Sequence, residues 1–158
     1  TAVLDRLPVR LDECLSQAIG YAQGKYPDRE FRQTFGPLPE DDSDVFALRG
    51  NPQLLTTALV NLLDNAAKYS AGPVTAELGY ADDNTLLVSV TDTGAGISAA
   101  DLRLVFEPLF RAEGVAKVPG SGLGLPLTQK VIRLHGGKVE LSSTEGQGTV
   151  ARVWLPVG

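Results

Sequence analysis

The segment "LVNLLDNAAKYS", residues 59–70, is the most informative part of the sequence for predicting the fold. Its leucines and alanines recur at helical spacing, which predicts an amphipathic helix with one face in a core. Asn61, Asn65 and Lys68 fall at i, i+4 and i+7, so they share a second face of that helix. Asparagine is a poor helix former because its amide competes for backbone hydrogen bonds. Two asparagines on one face therefore point either to a binding site or to a solvated surface.

Ligand chemistry gives this polar face a specific meaning. Amide oxygens are hard, neutral ligands that suit Mg²⁺, which takes few protein ligands and completes its shell with water and phosphate. Lys68, one turn further on, supplies a point charge for phosphate oxygens. The polar face of the helix is thus a candidate binding surface for a metal ion and phosphate groups.

The length, composition and net charge of the chain limit the classes of protein to which it can belong. The chain has 158 residues, of which 43% are hydrophobic, and this suits one compact α/β domain over residues 1–158. The formal net charge of -5 provides no basic field for nucleic acid. Cys14 is the only cysteine, which excludes an intrachain disulfide framework. No apolar run approaches the roughly 20 residues of a membrane span. Because the chain contains no Met, we expect it to be a piece of a larger protein.

The order of elements predicts a two-layer α/β sandwich, with a mixed, mostly antiparallel sheet of about five strands and three main helices on one face. Asn51 is the expected cap of the central helix, with Pro52 at its first position. The predicted helices are residues 11–26, 52–70 and 122–135, with a short one at 99–106. The predicted strands are residues 7–10, 30–36, 45–48, 74–80, 85–92, 136–143 and 149–157.

A second cluster is "DTGAGI", Asp92 to Ile97. Asp92 ends an apolar strand, so its carboxylate is expected in a pocket at the sheet edge, where it can accept a hydrogen bond from an exocyclic amine. Gly94 and Gly96 allow the backbone to turn closely around a planar ligand. A plain Asp-initiated turn is the alternative.

A third cluster is "GSGLGL", Gly120 to Leu125, at the start of a predicted helix. Small residues there leave backbone N–H groups free to face an anion, with the helix dipole behind them. The motif is neither the dinucleotide fingerprint nor a P-loop, and a flexible hinge is the alternative.

Taken together and in this order, the clusters resemble the catalytic, ATP-binding domain of sensor histidine kinases. This domain belongs to the GHKL superfamily, with the Bergerat ATP-binding fold, that also includes DNA gyrase, Hsp90, MutL and the pyruvate dehydrogenase kinases. "NLLDNAAKYS" resembles the family's N box, and "DTGAGI" and "GSGLGL" its two glycine boxes. "VFEPLFR", residues 105–111, is similar to its phenylalanine box. The resemblance runs from about Leu7 to Pro156.

The resemblance implies roles for the N-box and base-pocket residues. Asn65 is expected to ligate Mg²⁺, with Asn61 supporting the metal–phosphate cluster. Lys68 and Tyr69 are expected along the phosphates and the nucleotide. Asp92 is expected to hold the adenine amine, directly and through water. Gly94 and Gly96 are expected to shape the base pocket, with Thr149 near adenine. Ile97 is expected to bind the nucleotide.

The resemblance also implies a mobile ATP lid at about residues 98–121. Phe106 and Phe110 are its expected apolar anchors, and Arg111 is expected to approach the terminal phosphate. Gly120, Gly122 and Gly124 are expected to close on the phosphates. Ser121, Leu123 and Leu125 of the same motif are expected to bind the nucleotide.

One position separates kinases from hydrolases in this superfamily. The gyrase, Hsp90 and MutL branches carry a water-activating glutamate one turn before the metal-binding asparagine, and this chain has Asn61 there. A carboxamide cannot take a proton from water, so a protein histidine kinase is favoured over an ATPase. A GHKL-type ATPase, a serine-directed kinase and a non-catalytic nucleotide-sensing module are the alternatives.

The phosphoacceptor is expected on a separate dimerisation helix domain. His135, the only histidine, is interpreted instead as a helix C-terminal residue, which would be favoured there when charged. The implied partners are therefore ATP, Mg²⁺, a histidine-bearing dimerisation domain and, through it, a response regulator. The resemblance implies a cytoplasmic fragment that is monomeric in isolation.

Overall fold

The computed structural model describes residues 6–38, 45–68, 70, 72–94, 124–144 and 146–158. Its helices are α1 (Leu11–Lys25), α2 (Pro52–Lys68) and α3 (Gly124–Leu134). Its strands are β1 (Leu7–Arg10), β2 (Phe31–Phe35), β3 (Ala47–Gly50), β4 (Val74–Asp82), β5 (Thr85–Asp92), β6 (Lys138–Thr144) and β7 (Gly148–Pro156). The predicted short helix at residues 99–106 and the predicted lid lie outside the described residues.

The main sheet has five strands in the order β2-β4-β5-β7-β6. β2 pairs with β4 in parallel, and the other neighbours are antiparallel. This confirms the predicted mixed, mostly antiparallel sheet. β1 and β3 form a separate two-stranded sheet that the sequence analysis did not predict.

One face of the main sheet carries the core. Along β5 the fully buried positions alternate with half-buried ones, and Val88 and Val90 lie on the buried side. Leucines of α2, among them Leu59 and Leu63, belong to the same apolar cluster. This alternation is expected when helices cover only one face of a sheet. None of the helices in the described residues combines the length and apolar character that a membrane span requires.

The start of α2 agrees with the prediction. The Oδ1 atom of Asn51 accepts a hydrogen bond of 2.9 Å from the Leu54 N–H, which is the geometry of an N-cap. Pro52 occupies the first helical position, where its missing N–H costs nothing. The cap at Asn51 therefore fixes where α2 begins.

The predicted strand at residues 45–48 is wrong at its start. Val45 and Phe46 form a turn, and β3 begins at Ala47. Phe46 has a φ of 61°, and its ring is buried and stacked 5.6 Å from Phe35 and 5.7 Å from Tyr80. Its N–H also donates to the Tyr80 hydroxyl at 2.7 Å. Ring burial and this hydrogen bond together offset the cost of a left-handed backbone.

Candidate nucleotide-binding site

A cleft opens between α2, α3 and the ends of β5, β6 and β7. Small-molecule sites in proteins combine apolar walls with a few polar groups, and the lining of this cleft has that character. The lining residues are Leu62, Asn65, Ala66, Val90, Asp92, Leu125, Leu141, Thr149 and Ala151. The cleft thus brings together residues from all three clusters that the sequence analysis singled out.

Asp92 is the carboxylate of this cleft and is only 7% exposed. It ends β5 opposite Thr149 of β7, and its Oδ1 atom accepts a hydrogen bond of 2.9 Å from the Gly94 N–H. Burial raises the pKa of the Asp92 carboxyl, while the backbone N–H groups of Gly94 and Thr149 and the positive charge of Arg29 oppose that rise. The carboxylate is therefore buried but oriented by two backbone donors.

The polar face of α2 borders the cleft. Asn65 lines it, and Asn61 and Lys68 are half-buried on the same helix. A Cβ atom placed on Gly124 would lie 3.9 Å from the Asn61 side chain, so Asn61 faces the first residue of α3. Asn61 and Asn65 therefore lie at the edge where α2 meets α3, whereas Lys68 is not among the residues that line the cleft.

Lys68 forms an ion pair with Asp64 that was not predicted from the sequence. Its Nζ atom lies 3.1 Å from the Oδ2 atom of Asp64, and both side chains are 20% exposed. Lys25 and Tyr26 of the α1 end donate to the other oxygen of Asp64. The i, i+4 spacing of Asp64 and Lys68 is a sequence signal for this pair, whereas the contacts from α1 required the fold.

The facing ends of β6 and β7 lie beside the end of β5 at this cleft. The Ser143 Oγ atom donates to the Gly148 carbonyl at 2.9 Å and lies 2.9 Å from the Thr149 Oγ1 atom. Gly148 has a φ of 107°, and a Cβ there would lie 2.2 Å from the Asp92 carbonyl oxygen. Only glycine permits the backbone of β7 to pass this close to the end of β5.

Other predicted site residues lie outside the described part of the chain. They are Tyr69, Gly96, Ile97, Phe106, Phe110, Arg111, Gly120, Ser121, Gly122 and Leu123. The predicted residues whose positions are described are Asn61, Asn65, Lys68, Asp92, Gly94, Gly124, Leu125 and Thr149.

Comparison with known proteins places this architecture in a family. A family model described as "Histidine kinase-, DNA gyrase B-, and HSP90-like ATPase" matches residues 50–158. The sensor histidine kinase ZraS of Salmonella typhi is 31% identical over 151 residues, which cover 94% of this chain. The signal transduction histidine-protein kinase/phosphatase MprB of Mycolicibacterium smegmatis is 35% identical over 141 residues, which cover 87% of this chain. The chain therefore belongs to the histidine kinase-, DNA gyrase B- and HSP90-like ATPase family.

Solved structures agree with this assignment. The structure named "Mycobacterial sensor histidine kinase MprB" matches with a TM-score of 0.83 at 31% identity, over 95% of this chain and 97% of that one. The catalytic domain of histidine kinase ThkA shares the fold, with a TM-score of 0.77 at 21% identity. The fold is that of histidine kinase catalytic domains. This chain spans 31% of the length of ZraS and 27% of the length of the MprB relative.

Proposed function

We propose that this chain binds ATP with Mg²⁺ in the cleft and presents the γ-phosphate to a histidine on a separate dimerisation domain. The observation that carries the proposal is that Asn65 and Asp92, which come from different elements, line one cleft. Membership in an ATPase family whose relatives here are named sensor histidine kinases supports the choice of nucleotide and of reaction.

Asp92 is suited to the base end of the nucleotide. Its buried carboxylate lies among apolar side chains, including Val90 and Leu141, that can pack against a planar ring. A carboxylate is acceptor-only when ionised, so it favours an exocyclic amine such as that of adenine. Thr149, opposite Asp92 on β7, adds a hydroxyl beside the base.

Asn65 is suited to the metal end. Its amide oxygen is a ligand that Mg²⁺ accepts, and the described residues contain no cluster of three His, Cys, Asp or Glu side chains that would form a self-sufficient metal cage. Mg²⁺ is commonly held by one or two protein oxygens together with substrate phosphates, so the residues present fit that ion. When bound, Mg²⁺ would neutralise phosphate charge. Lys68 would hold phosphate oxygens on the same helix face.

Asn61 supports phosphoryl transfer over hydrolysis. Its carboxamide faces the start of α3 and cannot accept a proton from water. Phosphoryl transfer depends mainly on positioning and charge neutralisation, which Lys68 and Asn65 can contribute without a general base. Arg111 and the glycines of 120–124 are proposed to complete the phosphate contacts.

His135 does not meet the requirements of the acceptor. Its side chain is 1% exposed, its Nε2 atom accepts from the Asn51 N–H, and its Nδ1 atom lies 2.8 Å from the Val131 carbonyl oxygen. A phosphoacceptor must expose a ring nitrogen to the γ-phosphate. The proposal therefore places the acceptor on a dimerisation domain, with a response regulator receiving the phosphoryl group afterwards.

A phosphotransfer assay tests the proposal. Labelled ATP, Mg²⁺ and a dimerisation domain supplied in trans are expected to give acid-labile phosphohistidine, and Asp92→Asn or Asn65→Asp is expected to abolish it. Asp83→Asn, in the exposed turn between β4 and β5, is the matched control and is expected to keep full labelling. Unchanged labelling in both site variants would overturn the proposal. Steady ATP turnover without an acceptor would favour the ATPase branch.

A further inference from the structure

The end of α1 and the turn that follows it contact the last turns of α2 at two places. We propose that Lys25, Tyr26 and Arg29 form a bracket that positions Lys68 for the nucleotide phosphates, acting through Asp64 and through the backbone at the end of α2. This inference rests on the proposed function, which places Lys68 beside the phosphates. The three bracket residues are positioning residues, since they act on Lys68 and not on the nucleotide.

Asp64 is the centre of the first contact. Its Oδ1 atom accepts hydrogen bonds of 2.6 Å from the Tyr26 hydroxyl and 2.9 Å from the Lys25 Nζ atom. One oxygen of Asp64 is therefore occupied by the α1 end.

The other oxygen of Asp64 fixes Lys68. The Oδ2 atom lies 3.1 Å from the Lys68 Nζ atom. A lysine side chain loses considerable rotamer entropy when it is ordered, so an ammonium already held by Asp64 binds phosphate at a lower entropic cost. Because an ammonium has three donors, contact with one carboxylate oxygen leaves donors for phosphate oxygens.

Arg29 makes the second contact. Its Nη1 atom donates to the Ala67 carbonyl at 2.6 Å, and its Nη2 atom donates to the Gly72 carbonyl at 2.7 Å and to the Ser70 Oγ atom at 2.9 Å. These acceptors lie on both sides of Lys68 in the sequence. A guanidinium also suits the negative end of a helix dipole.

The Arg29 backbone is itself anchored. The Gln23 Nε2 atom of α1 donates to the Arg29 carbonyl at 2.7 Å, and the Arg29 N–H donates to the Tyr26 carbonyl at 3.1 Å. The backbone at the end of α2 and the Lys68 side chain are consequently held by one short segment, residues 23–29. Because the positive charge of Arg29 also acts on Asp92, a change at Lys25 or Tyr26 is the one expected to alter phosphate binding and leave the base pocket unchanged.

Titrations followed by protein-detected NMR test the bracket with two ligands, a non-hydrolysable ATP analogue with Mg²⁺ and adenosine, which has no phosphate. Tyr26→Phe removes the hydroxyl but keeps the ring. This variant is expected to lower the affinity for the ATP analogue about three- to tenfold and to leave the affinity for adenosine unchanged. Tyr21→Phe, a tyrosine of the same helix that is 66% exposed, is the matched control and is expected to bind both ligands as the parent protein does.

A second variant tests whether Tyr26→Phe lowers the analogue affinity by changing the position of Lys68. In a Lys68→Gln background, adding Tyr26→Phe is expected to cause no further loss of analogue affinity. An equal loss for adenosine and the analogue would mean a general structural role and would overturn the inference. Parent-like analogue binding by Tyr26→Phe would overturn the inference alone, leaving the proposed function intact. No nucleotide binding by the parent protein would overturn both.

Discussion

The Nε2 atom of His135 accepts a hydrogen bond of 3.0 Å from the backbone N–H of Asn51, the residue that caps α2. The Nδ1 atom lies 2.8 Å from the Val131 carbonyl, which can only accept, so the imidazole is neutral with its proton on Nδ1. The interpretation of His135 as a helix C-terminal residue is confirmed, because it directly follows α3, although the ring is neutral there. The ring ties the end of α3 to the start of α2, and a Cβ on Gly50 would lie 2.5 Å from it.

This arrangement predicts a pH-dependent stability. Burial lowers the pKa of His135 from 6.5, and the Arg6 cation adds to the effect. Above pH 6.5 the His135 ring is neutral in both the folded and the unfolded chain, so it adds no pH dependence to stability. Below pH 6.5 the ring is protonated in the unfolded chain but stays neutral in the folded chain. The free energy of unfolding therefore falls, by up to about 1.4 kcal/mol per pH unit, until the pH reaches the lower folded-state pKa.

Urea unfolding at about pH 8 and about pH 5.5 measures this effect. His135→Gln removes the titrating ring, so the variant is expected to lose less stability between the two pH values than the parent protein does. Equal losses in the two proteins would show that His135 is not the group responsible.

Gly148 is expected to be intolerant of substitution. A Cβ there meets the Asp92 carbonyl oxygen at 2.2 Å and the Thr93 Cα atom at 2.8 Å, both backbone atoms that cannot rotate away. Gly146→Ala is the matched control, because Gly146 has a φ of 84° but nothing within 4 Å. Gly148→Ala should cost about 2 kcal/mol or more beyond the control in thermal unfolding. Similar losses for the two variants would contradict the close approach of β5 and β7.

Thr128 is expected to tolerate, and gain from, an apolar replacement. Its side chain is fully buried on α3, and its Oγ1 atom has no hydrogen-bond partner in the part of the chain that the structure describes. Thr128→Val keeps the shape and removes the unpaired hydroxyl, so it should raise the free energy of unfolding by about 1 kcal/mol. Thr149→Val, which removes a hydroxyl paired with Ser143, should lower it. Destabilisation by Thr128→Val would mean that the hydroxyl is satisfied.

Local sequence chemistry predicted much of this fold. The apolar spacing of α2 and its Asn51 cap each follow from side chains close in sequence, and the structure confirms them. The predicted end of β4 is less exact, because the strand extends two residues further than predicted, to Asp82.

What sequence reasoning missed depends on residues far apart in the chain. The backbone of Phe46 is not in the β-region because the rings of Phe35 and Tyr80 and the Tyr80 hydroxyl hold the residue in a turn. Tyr26 meets Asp64 across 38 positions, and Asn51 meets His135 across 84. No periodicity or motif encodes such pairs, because they form only once the helices pack.

Within the site, the cleft contains Asn65, Asp92, Leu125 and Thr149 as a set. Their roles toward adenine and Mg²⁺ remain a proposal that binding must test.

Titration calorimetry with a non-hydrolysable ATP analogue, with and without Mg²⁺, measures directly whether this cleft binds ATP. The parent protein is expected to bind the analogue more tightly with Mg²⁺, and binding is expected to be lost in Asp92→Asn but not in the matched control Asp83→Asn. Absence of binding in the parent protein, or unchanged binding in Asp92→Asn, would contradict the assignment of this cleft to ATP.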